Sequence, residues 1–232
     1  MAHRLRSAAL LIGVLMGVLL LAPRAWAIST AGGELQAATR ATPDLARGAK
    51  SFETCAACHG TDGGGAPDGS VPAIAGQHRS VIVKQLIDFR HDRRINIRMQ
   101  HFVADDHLAG AQALADVSGY VASLAPRSPS PSSAPAATLT TGRDSYGRSC
   151  QSCHGPRAEG DAATRVPRLA GQHVEYLSQQ LADAAEGRRP SMARDHAQTL
   201  TRIDRAELDA LASYLASLEP QAPPAASGGR AD

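Results

Sequence analysis

The residues of this chain best suited to chemistry are four cysteines, arranged as two pairs that are each followed by a histidine. The two Cys-x-x-Cys-His motifs comprise Cys55, Cys58 and His59, then Cys150, Cys153 and His154. Two thiols one helical turn apart can each form a thioether to a haem vinyl group, and the adjacent histidine is then held beneath the iron as an axial ligand. The chain has no other cysteines. The sequence therefore predicts two covalently bound haem c groups.

Other uses of a Cys-x-x-Cys pair fit this chain less well. A redox dithiol or half of a zinc site needs the two thiols but not the histidine that follows them in both copies. A four-cysteine zinc site would bring the two pairs together, yet each pair lies in its own copy of a longer repeat. A disulfide within each pair would leave the repeated histidine without a role.

The repeat extends well beyond the haem motif. Val-Pro-Ala-Ile-Ala-Gly-Gln-His at 71–78 is matched by Val-Pro-Arg-Leu-Ala-Gly-Gln-His at 166–173, at the same offset of 95 residues as the motifs. Tyr-Val-Ala-Ser-Leu at 120–124 is matched by Tyr-Leu-Ala-Ser-Leu at 214–218. Similarity at a fixed period indicates internal duplication, so we expect two copies of one domain.

Each copy reads as helices joined by loops rich in Gly and Pro. The predicted helices are 48–55, 78–89 and 111–124 in the first copy, and 142–150, 173–185 and 205–218 in the second. Gly110 and Asp204 stand where the last helices would be capped. No alternating strand pattern is present. The predicted fold is all-α, with two tandem domains at 44–125 and 138–219.

The N-terminus reads as a secretory signal. Residues 1–27 combine a basic start, the 15-residue apolar run Ala8–Ala22 and the cleavage-site pattern Ala25-Trp26-Ala27. The run is short for a membrane span, which needs about 20 residues, although an uncleaved anchor is the alternative. Cleavage after Ala27 predicts a periplasmic protein with no membrane span.

Charge and composition limit the remaining possibilities. The chain holds 24 Lys and Arg against 22 Asp and Glu, and the predicted signal removes three Arg and no acid, which leaves a net charge of −1. This balance gives no indication of a nucleic-acid partner. Pro, Ser and small residues predict weak order in the start at 28–43, the linker at 126–137 and the tail at 220–232.

A haem held by one histidine has a second axial position. Met99 and Met192 are the only methionines after residue 27, one in each copy, and they follow the motif histidines at similar distances along the chain. We predict them to be the sixth ligands, the alternative being core packing. The other candidates for the second axial ligand are His91, His101, His107 and His196. We find none of them matched between the copies, so we expect their side chains to be exposed.

Further roles follow from spacing around each haem motif. Pro72 and Pro167 follow the motif histidines at the same spacing in both copies, so their carbonyls are candidates to accept the second ring N–H of each histidine. The pairs Arg93-Arg94 and Arg188-Arg189 suit either haem propionates or a solvated surface. His78 and His173 also repeat, but each opens a helix, so we expect them to be surface or capping residues.

These residues together resemble a known family. The Cys-x-x-Cys-His-Gly motifs, the Pro-x-[Ile/Leu]-Ala-Gly-Gln stretches, Gln-Leu at 85–86 and 180–181, one Met per copy and the closing Tyr helices are similar to di-haem class I cytochromes c of the cytochrome c4 type. The resemblance implies an iron ligated by His59 and Met99, and a second ligated by His154 and Met192.

The resemblance also implies an architecture. Such proteins pack their two domains about a pseudo-two-fold axis, with an aromatic pair where the first and last helices of each domain cross. Phe52 with Tyr120, and Tyr146 with Tyr214, fit this role. This chain departs from the pattern in three ways: Phe52 precedes its motif by three residues but Tyr146 by four, the first copy has two extra residues before its Met, and the linker is long. The sequence leaves open how closely the domains pack.

The predicted function is electron transfer without catalysis of its own. We expect a periplasmic di-haem carrier that receives electrons from a quinol-oxidising complex or a dehydrogenase and passes them to an acceptor such as a terminal oxidase. The alternative is a dedicated electron-transfer subunit of a periplasmic dehydrogenase complex. A catalytic di-haem enzyme such as a peroxidase needs an open iron, and the two matched methionines count against it.

Overall fold

The computed structural model of the protein describes residues 30–128 and 133–221. The predicted signal at 1–27, the middle of the predicted linker and nearly all of the predicted tail lie outside these residues. Within them the regular structure is helical, with one isolated bridge between Asp161 and Val166, as the all-α prediction requires. The helices are α1 (Ala31–Arg40), α2 (Leu45–His59), α3 (Arg79–Arg90), α4 (Ile97–Phe102), α5 (Gly110–Ser123), α6 (Ala136–Ser149), α7 (Gln151–His154), α8 (Val174–Ala185), α9 (Arg194–Leu200) and α10 (Arg205–Ser217).

Helices α1 to α5 form one domain and α6 to α10 the other. None of these described helices is long and apolar enough to cross a membrane. Short polar side chains set several helix starts: Asp44 accepts the N–H of Arg47 at 3.0 Å, and Asp204, as predicted, accepts the N–H of Glu207 at 2.8 Å. The prediction for Gly110 is wrong by one residue, because Ala109 occupies the N-cap position of α5 and Gly110 is its first residue.

In each domain two long helices cross at a glycine, α2 with α5 in the first domain and α6 with α10 in the second. A Cβ on Gly48 would lie 2.2 Å from the carbonyl oxygen of Asp116, and one on Gly142 would lie 2.1 Å from that of Ala210. Only glycine allows backbones to approach this closely. The crossings of α2 with α5 and of α6 with α10 therefore depend on these two positions.

The close crossings bring the expected aromatic pairs together. The rings of Phe52 and Tyr120 lie 5.4 Å apart, and those of Tyr146 and Tyr214 lie 5.8 Å apart, at interplanar angles of 52° and 51°. The two copies differ in register because α2 runs unbroken through its haem motif, whereas the helix breaks at Cys150, between α6 and α7. Tyr146 is one residue farther from its motif than Phe52 is, and the break at Cys150 accommodates this additional residue.

Two apolar clusters fill the spaces between these helices. One surrounds Phe52 in the first domain, with buried residues Ile82, Leu108, Val117 and Val121. The other surrounds Tyr146 in the second, with Ala158, Ala170, Leu177, Leu211, Ala212 and Leu215. Both cores are built mainly from aliphatic side chains, as expected for a chain with few aromatic residues.

The predicted weak order of residues 28–43 is wrong for the part that forms α1. Ala38 is fully buried against apolar side chains of α3 and α5. Glu34, only 5% exposed, forms ion pairs with Arg90 and with His91 at the end of α3. A buried carboxylate with two such partners fixes a helix whose own sequence, with two glycines, has low helix propensity.

The two domains pack together through reciprocal hydrogen bonds. The side-chain amide of Gln77 accepts the N–H of Arg168 at 3.0 Å and donates to its carbonyl at 2.9 Å. Gln172 makes the same pair of bonds with Ala73, at 3.0 and 2.7 Å. Each glutamine and each partner is related to its counterpart by the offset of the repeat, so the interface has pseudo-two-fold symmetry. This settles the question of packing that the linker left open.

Candidate haem sites

The histidine of each motif is buried and held by a backbone carbonyl. His59 and His154 are 7% and 5% exposed, and their Nδ1 atoms lie 3.0 Å from the carbonyl oxygens of Pro72 and Pro167. A carbonyl only accepts, so Nδ1 carries the proton and Nε2 keeps its lone pair for a metal. The predicted role of the two prolines is confirmed.

Glycines shape the loop that carries each proline back to its histidine. The N–H of Gly65 donates to the carbonyl of His59 at 2.8 Å, and the N–H of Gly160 donates to that of His154 at 2.8 Å. Both glycines have positive φ, and a Cβ on Gly65 would lie 2.4 Å from the carbonyl oxygen of Val71, just before Pro72. The loop therefore positions the proline carbonyl without the help of a long side chain.

Burial sets the protonation states of the motif residues. It lowers the pKa of both His59 and His154, which favours the neutral imidazole that binds a metal. It raises the pKa of the Cys55 thiol, and that of Cys150 to about 11. The four cysteines form no disulfide, and the second of each pair is exposed. Each pair thus presents two free thiols beside a neutral, oriented imidazole, the set that thioether attachment of haem requires.

The two methionines occupy different surroundings. Met99 lies in α4, half-buried, and its N–H donates to the capping side chain of Asn96 at 3.1 Å. Met192 precedes α9 and packs against the apolar cluster of Ala184, Leu200 and Leu208. Axial ligation by Met99 and Met192 stays a prediction.

One histidine that the sequence analysis set aside lies beside a motif histidine. The rings of His196 and His154 have centroids 5.8 Å apart at an interplanar angle of 43°. In the first domain the ring of His101 contacts His107 at 4.5 Å instead. His101, His107 and His196 are exposed, as expected. Our expectation that none is matched between the copies is wrong, because His101 and His196 differ by 95 residues, the offset of the repeat. That signal was present in the sequence and was missed.

The arginine pairs divide into an exposed and a half-buried member. Arg93 and Arg188 are exposed, and Arg188 forms ion pairs with acidic side chains of its own domain. Arg94 donates across the interface to Tyr176 at 2.7 Å and to Gln180 at 2.6 Å. The exposed members, Arg93 and Arg188, fit the interpretation as a solvated surface. Propionate binding by Arg94 and Arg189 stays a prediction.

Arg94 and Arg189 provide a test of whether an anionic cofactor fits here. Burial, together with the charge of Arg94, lowers the pKa of Arg189 to about 10, and its Nε atom is buried without a hydrogen-bond partner. Within the part of the chain that the structure describes, neither guanidinium forms an ion pair with a carboxylate. Two neighbouring, half-buried cations with an unused donor suit the propionates of a haem.

His78 and His173 have a different role from the one predicted. Both occupy N-cap positions, of α3 and α8, but neither side chain makes a capping bond. Instead each Nε2 donates to a carbonyl of the other domain: His78 to Glu159 and His173 to Gly64, both at 2.8 Å. His78 and His173 therefore belong to the same pseudo-symmetric domain interface as Gln77 and Gln172.

Comparison with known proteins agrees with this geometry. The profile of the family described as Cytochrome c matches the chain twice, at residues 45–125 and 139–219. The chain belongs to the cytochrome c family. The cytochrome c4 of Azotobacter vinelandii is 30% identical to it over 197 residues, covering 77% of this cytochrome and 90% of the relative.

Two further relatives refine the assignment. The solved structure of reduced recombinant cytochrome c4 from Pseudomonas stutzeri matches this cytochrome with a TM-score of 0.67 at 27% identity, covering 77% of this chain and all of that one. A thiosulfate dehydrogenase electron acceptor of Stutzerimonas stutzeri (strain A1501) is 31% identical over 171 residues, covering 71% of this chain and 78% of the relative. The predicted resemblance to di-haem class I cytochromes of the c4 type is confirmed.

This membership and the site geometry identify a di-haem electron-transfer cytochrome with two covalently attached haem c groups. The haem supplies the one-electron chemistry of its iron. The chain supplies a tether of two thiols, a neutral imidazole oriented by a proline carbonyl, and cations at the domain interface. Each of these features occurs twice, so the two haem sites share the same arrangement of residues.

Proposed function

We propose that this cytochrome is exported to the periplasm and carries single electrons between redox proteins of a respiratory chain. His59 and His154 ligate the two irons on one side, and Cys55, Cys58, Cys150 and Cys153 tether the haems. The observation that carries the proposal is the repeated Nδ1 contact with a proline carbonyl, since it leaves both imidazoles oriented and neutral for iron. Met99 and Met192 are the sequence candidates for the opposite axial position.

Docking of the domains supports transfer between the two haems. The interface is held by at least six hydrogen bonds from the paired glutamines and histidines, and Arg94 adds two more. A fixed arrangement keeps the distance between two redox centres constant. One domain can thus receive an electron from a donor while the other delivers one to an acceptor.

The test is a count of haems and of electrons in the purified, exported protein. We expect two haems per chain by the pyridine haemochrome assay, two one-electron steps in a spectroscopic redox titration, and no binding of CO to the reduced native protein. Cys58→Ser and Cys153→Ser variants each leave one thioether and should shift the absorption of one haem only. One haem per chain, or rapid CO binding at both irons, would contradict the proposal.

A specific observation favours a second candidate, an acceptor dedicated to one dehydrogenase. A relative that covers most of this cytochrome is named as the electron acceptor of a thiosulfate dehydrogenase. A partner of this kind would donate directly to one of the two haems. Purification from the native host decides between the two: a catalytic subunit in equal amount supports the dedicated role, and a lone cytochrome that exchanges electrons with several partners supports the general carrier.

A further inference from the structure

We propose that residues 93–98 of the N-terminal domain, which we call the docking loop, bind a redox protein whose surface is apolar and ringed by carboxylates. The proposal rests on the proposed function, because it names the place where a partner of this electron carrier binds. The docking loop ends just before Met99, the candidate axial ligand of the first haem. It assigns the contact with such a partner to one of the two domains.

The docking loop carries two exposed isoleucines. Ile95 is 63% exposed and Ile97 is 83% exposed. Among the described residues, Leu45 is the one other large apolar side chain that is exposed, at 47%. Single apolar side chains at a surface need no explanation, but two that lie together form a patch whose burial by a partner is favourable.

The backbone of the docking loop holds the two isoleucines on one side. Asn96 between them is extended, with φ −163° and ψ 107°, and side chains alternate from side to side along extended backbone. The side chain of Asn96 turns towards α4 and accepts the N–H of Met99 at 3.1 Å, and its own N–H donates to Oε1 of Gln100 at 3.1 Å. Ile95 and Ile97 therefore project together on the opposite side. Because these bonds fix the loop, little ordering is needed when a partner binds.

Two arginines flank the isoleucines and determine the charge of the partner. Arg93 and Arg98 are exposed, and among the described residues neither forms an ion pair. The acidic residue beside them, Asp92, has a carboxylate that accepts a hydrogen bond from the side chain of Gln100. An apolar centre with a charged rim is the usual composition of a protein interface, and a cationic rim selects a partner with carboxylates around its own apolar patch.

The equivalent loop of the second domain is different. It is two residues shorter, and Pro190 and Ser191 directly precede Met192 in place of the isoleucines. The N–H of Ser191 donates to the carbonyl of Arg93 at 3.2 Å, and Nζ of Lys84 donates to the carbonyl of Ser191 at 3.5 Å. The first domain thus covers part of the loop before Met192, whereas the docking loop presents its apolar side chains to solvent. The two extra residues of the first copy therefore supply a surface that the second copy does not repeat.

A surface of this small size is sufficient for electron exchange. Electron-transfer complexes bury less than about 1,200 Å² in total, because the partners bind weakly and separate quickly. Since Met99 is the candidate ligand of the first iron, a protein bound to the docking loop lies close to that haem. One electron then passes between the partner and this iron, which alternates between iron(III) and iron(II), and no bond forms or breaks.

The test measures electron transfer from a defined probe, reduced plant-type ferredoxin, which is an acidic one-electron donor of low potential. Stopped-flow absorption of the oxidised holoprotein gives the second-order rate constant of its reduction. This rate constant should fall as the salt concentration rises, because opposite charges steer the two proteins together. Ile97→Ser should lower it about tenfold by removing the centre of the patch, and Arg98→Ala about threefold by removing one charge of the rim.

Two further variants are matched controls. Leu45→Ser removes an exposed apolar side chain elsewhere in the first domain, and Arg194→Ala removes an exposed cation from the first turn of α9 in the second. Both should accept electrons from ferredoxin at the wild-type rate. Free reduced lumiflavin, which is small and uncharged, should reduce the wild type and all four variants equally, which shows that the substituted proteins keep their haems.

Several results would overturn the docking proposal and leave the proposed function intact. These are equal rates for the wild type, Ile97→Ser and Arg98→Ala, a rate that does not depend on salt, and no reaction with ferredoxin although lumiflavin reduces the haems. A larger loss in Arg194→Ala than in Arg98→Ala would move the contact to the second domain. A dimer in sedimentation velocity that Ile97→Ser dissociates would show that a second copy of this chain covers the isoleucines. Failure of the wild type to accept electrons from either reductant would instead contradict the proposed function.

Discussion

Replacing Gly142 by Ala tests how α6, the helix that leads into the second haem motif, is positioned. A Cβ at this position would lie 2.1 Å from the carbonyl oxygen of Ala210 and 2.7 Å from the Cβ of Tyr214, whereas ordinary contacts are 3.4 Å or longer. Helices α6 and α10 must therefore separate by about 1 Å, which disturbs a close-packed core. Strain of this kind costs about 2–3 kcal/mol, more than the 0.5–1 kcal/mol that Ala gains over Gly within a helix.

Gly147 is a matched control in the same helix. The nearest atom that a Cβ there would meet is 3.8 Å away, so Gly147→Ala retains the helix gain without strain. We expect the transition of the second domain to fall by about 10 °C in Gly142→Ala and to rise by a few degrees in Gly147→Ala. Thermal unfolding of the holoprotein, followed by circular dichroism and by haem absorption, measures both shifts.

Gly142→Ala could instead prove as stable as Gly147→Ala. That result would mean that α6 and α10 do not cross closely at this point. The aromatic contact of Tyr146 with Tyr214, which the crossing produces, would then also be in doubt.

Three further changes have expected outcomes. Gln172→Ala removes two bonds between the domains and should weaken docking by about 2 kcal/mol, so that the domains unfold separately in urea, whereas Gln179→Ala removes one exposed bond and should have little effect. Glu34→Ala leaves the buried Arg90 without its main partner and should cost about 3 kcal/mol in urea unfolding. Burial acts to raise the pKa of Asp116, but hydrogen bonds from Arg47 and from neighbouring N–H donors outweigh it and hold this pKa below its usual value. The carboxylate thus stabilises the protein above about pH 4, and the contribution is lost as the pH falls through the folded pKa. Asp116→Asn should lower stability at pH 7 and reduce its decline in acid, as measured by urea unfolding between pH 2 and pH 7.

Each of these changes has an outcome that would contradict it. Unfolding of Gln172→Ala in a single transition at the wild-type midpoint would show that the glutamine bonds do not hold the domains together. A loss in Glu34→Ala no larger than that of Glu53→Ala, which breaks an exposed pair with Lys50, would show that α1 is not anchored by its ion pair. Parallel pH profiles of the wild type and Asp116→Asn would remove that carboxylate as a source of acid sensitivity.

The features that the sequence predicted are those set by local spacing. The haem motifs, the proline that follows each motif histidine at a fixed spacing and the duplicated helices all depend on short-range geometry, and the structure contains them. The bounds of the helices differ from the prediction: α2 continues to His59, and α6 begins at Ala136, inside the predicted linker. The short helices α4 and α9 were not predicted. The aromatic pairs of Phe52 with Tyr120 and of Tyr146 with Tyr214 followed from the family resemblance.

The features that were missed depend on contacts between distant parts of the chain. Helix α1 is fixed by an ion pair between Glu34 and Arg90, 56 residues apart, which no local pattern reveals. The partners of His78 and His173 are backbone carbonyls of the other domain, and a carbonyl has no sequence signature. The position of His196 was recorded in the repeat offset, but only the structure shows that its ring reaches His154.

A coulometric redox titration of the purified holoprotein, followed by absorption spectroscopy, measures how many electrons each chain takes up. We expect each chain to take up two electrons, one at each haem. We expect both irons to stay low-spin in both oxidation states, because each keeps two axial ligands. Uptake of a single electron per chain, or a high-spin iron in the native protein, would show that the protein is not a di-haem electron carrier with two axial ligands at each iron.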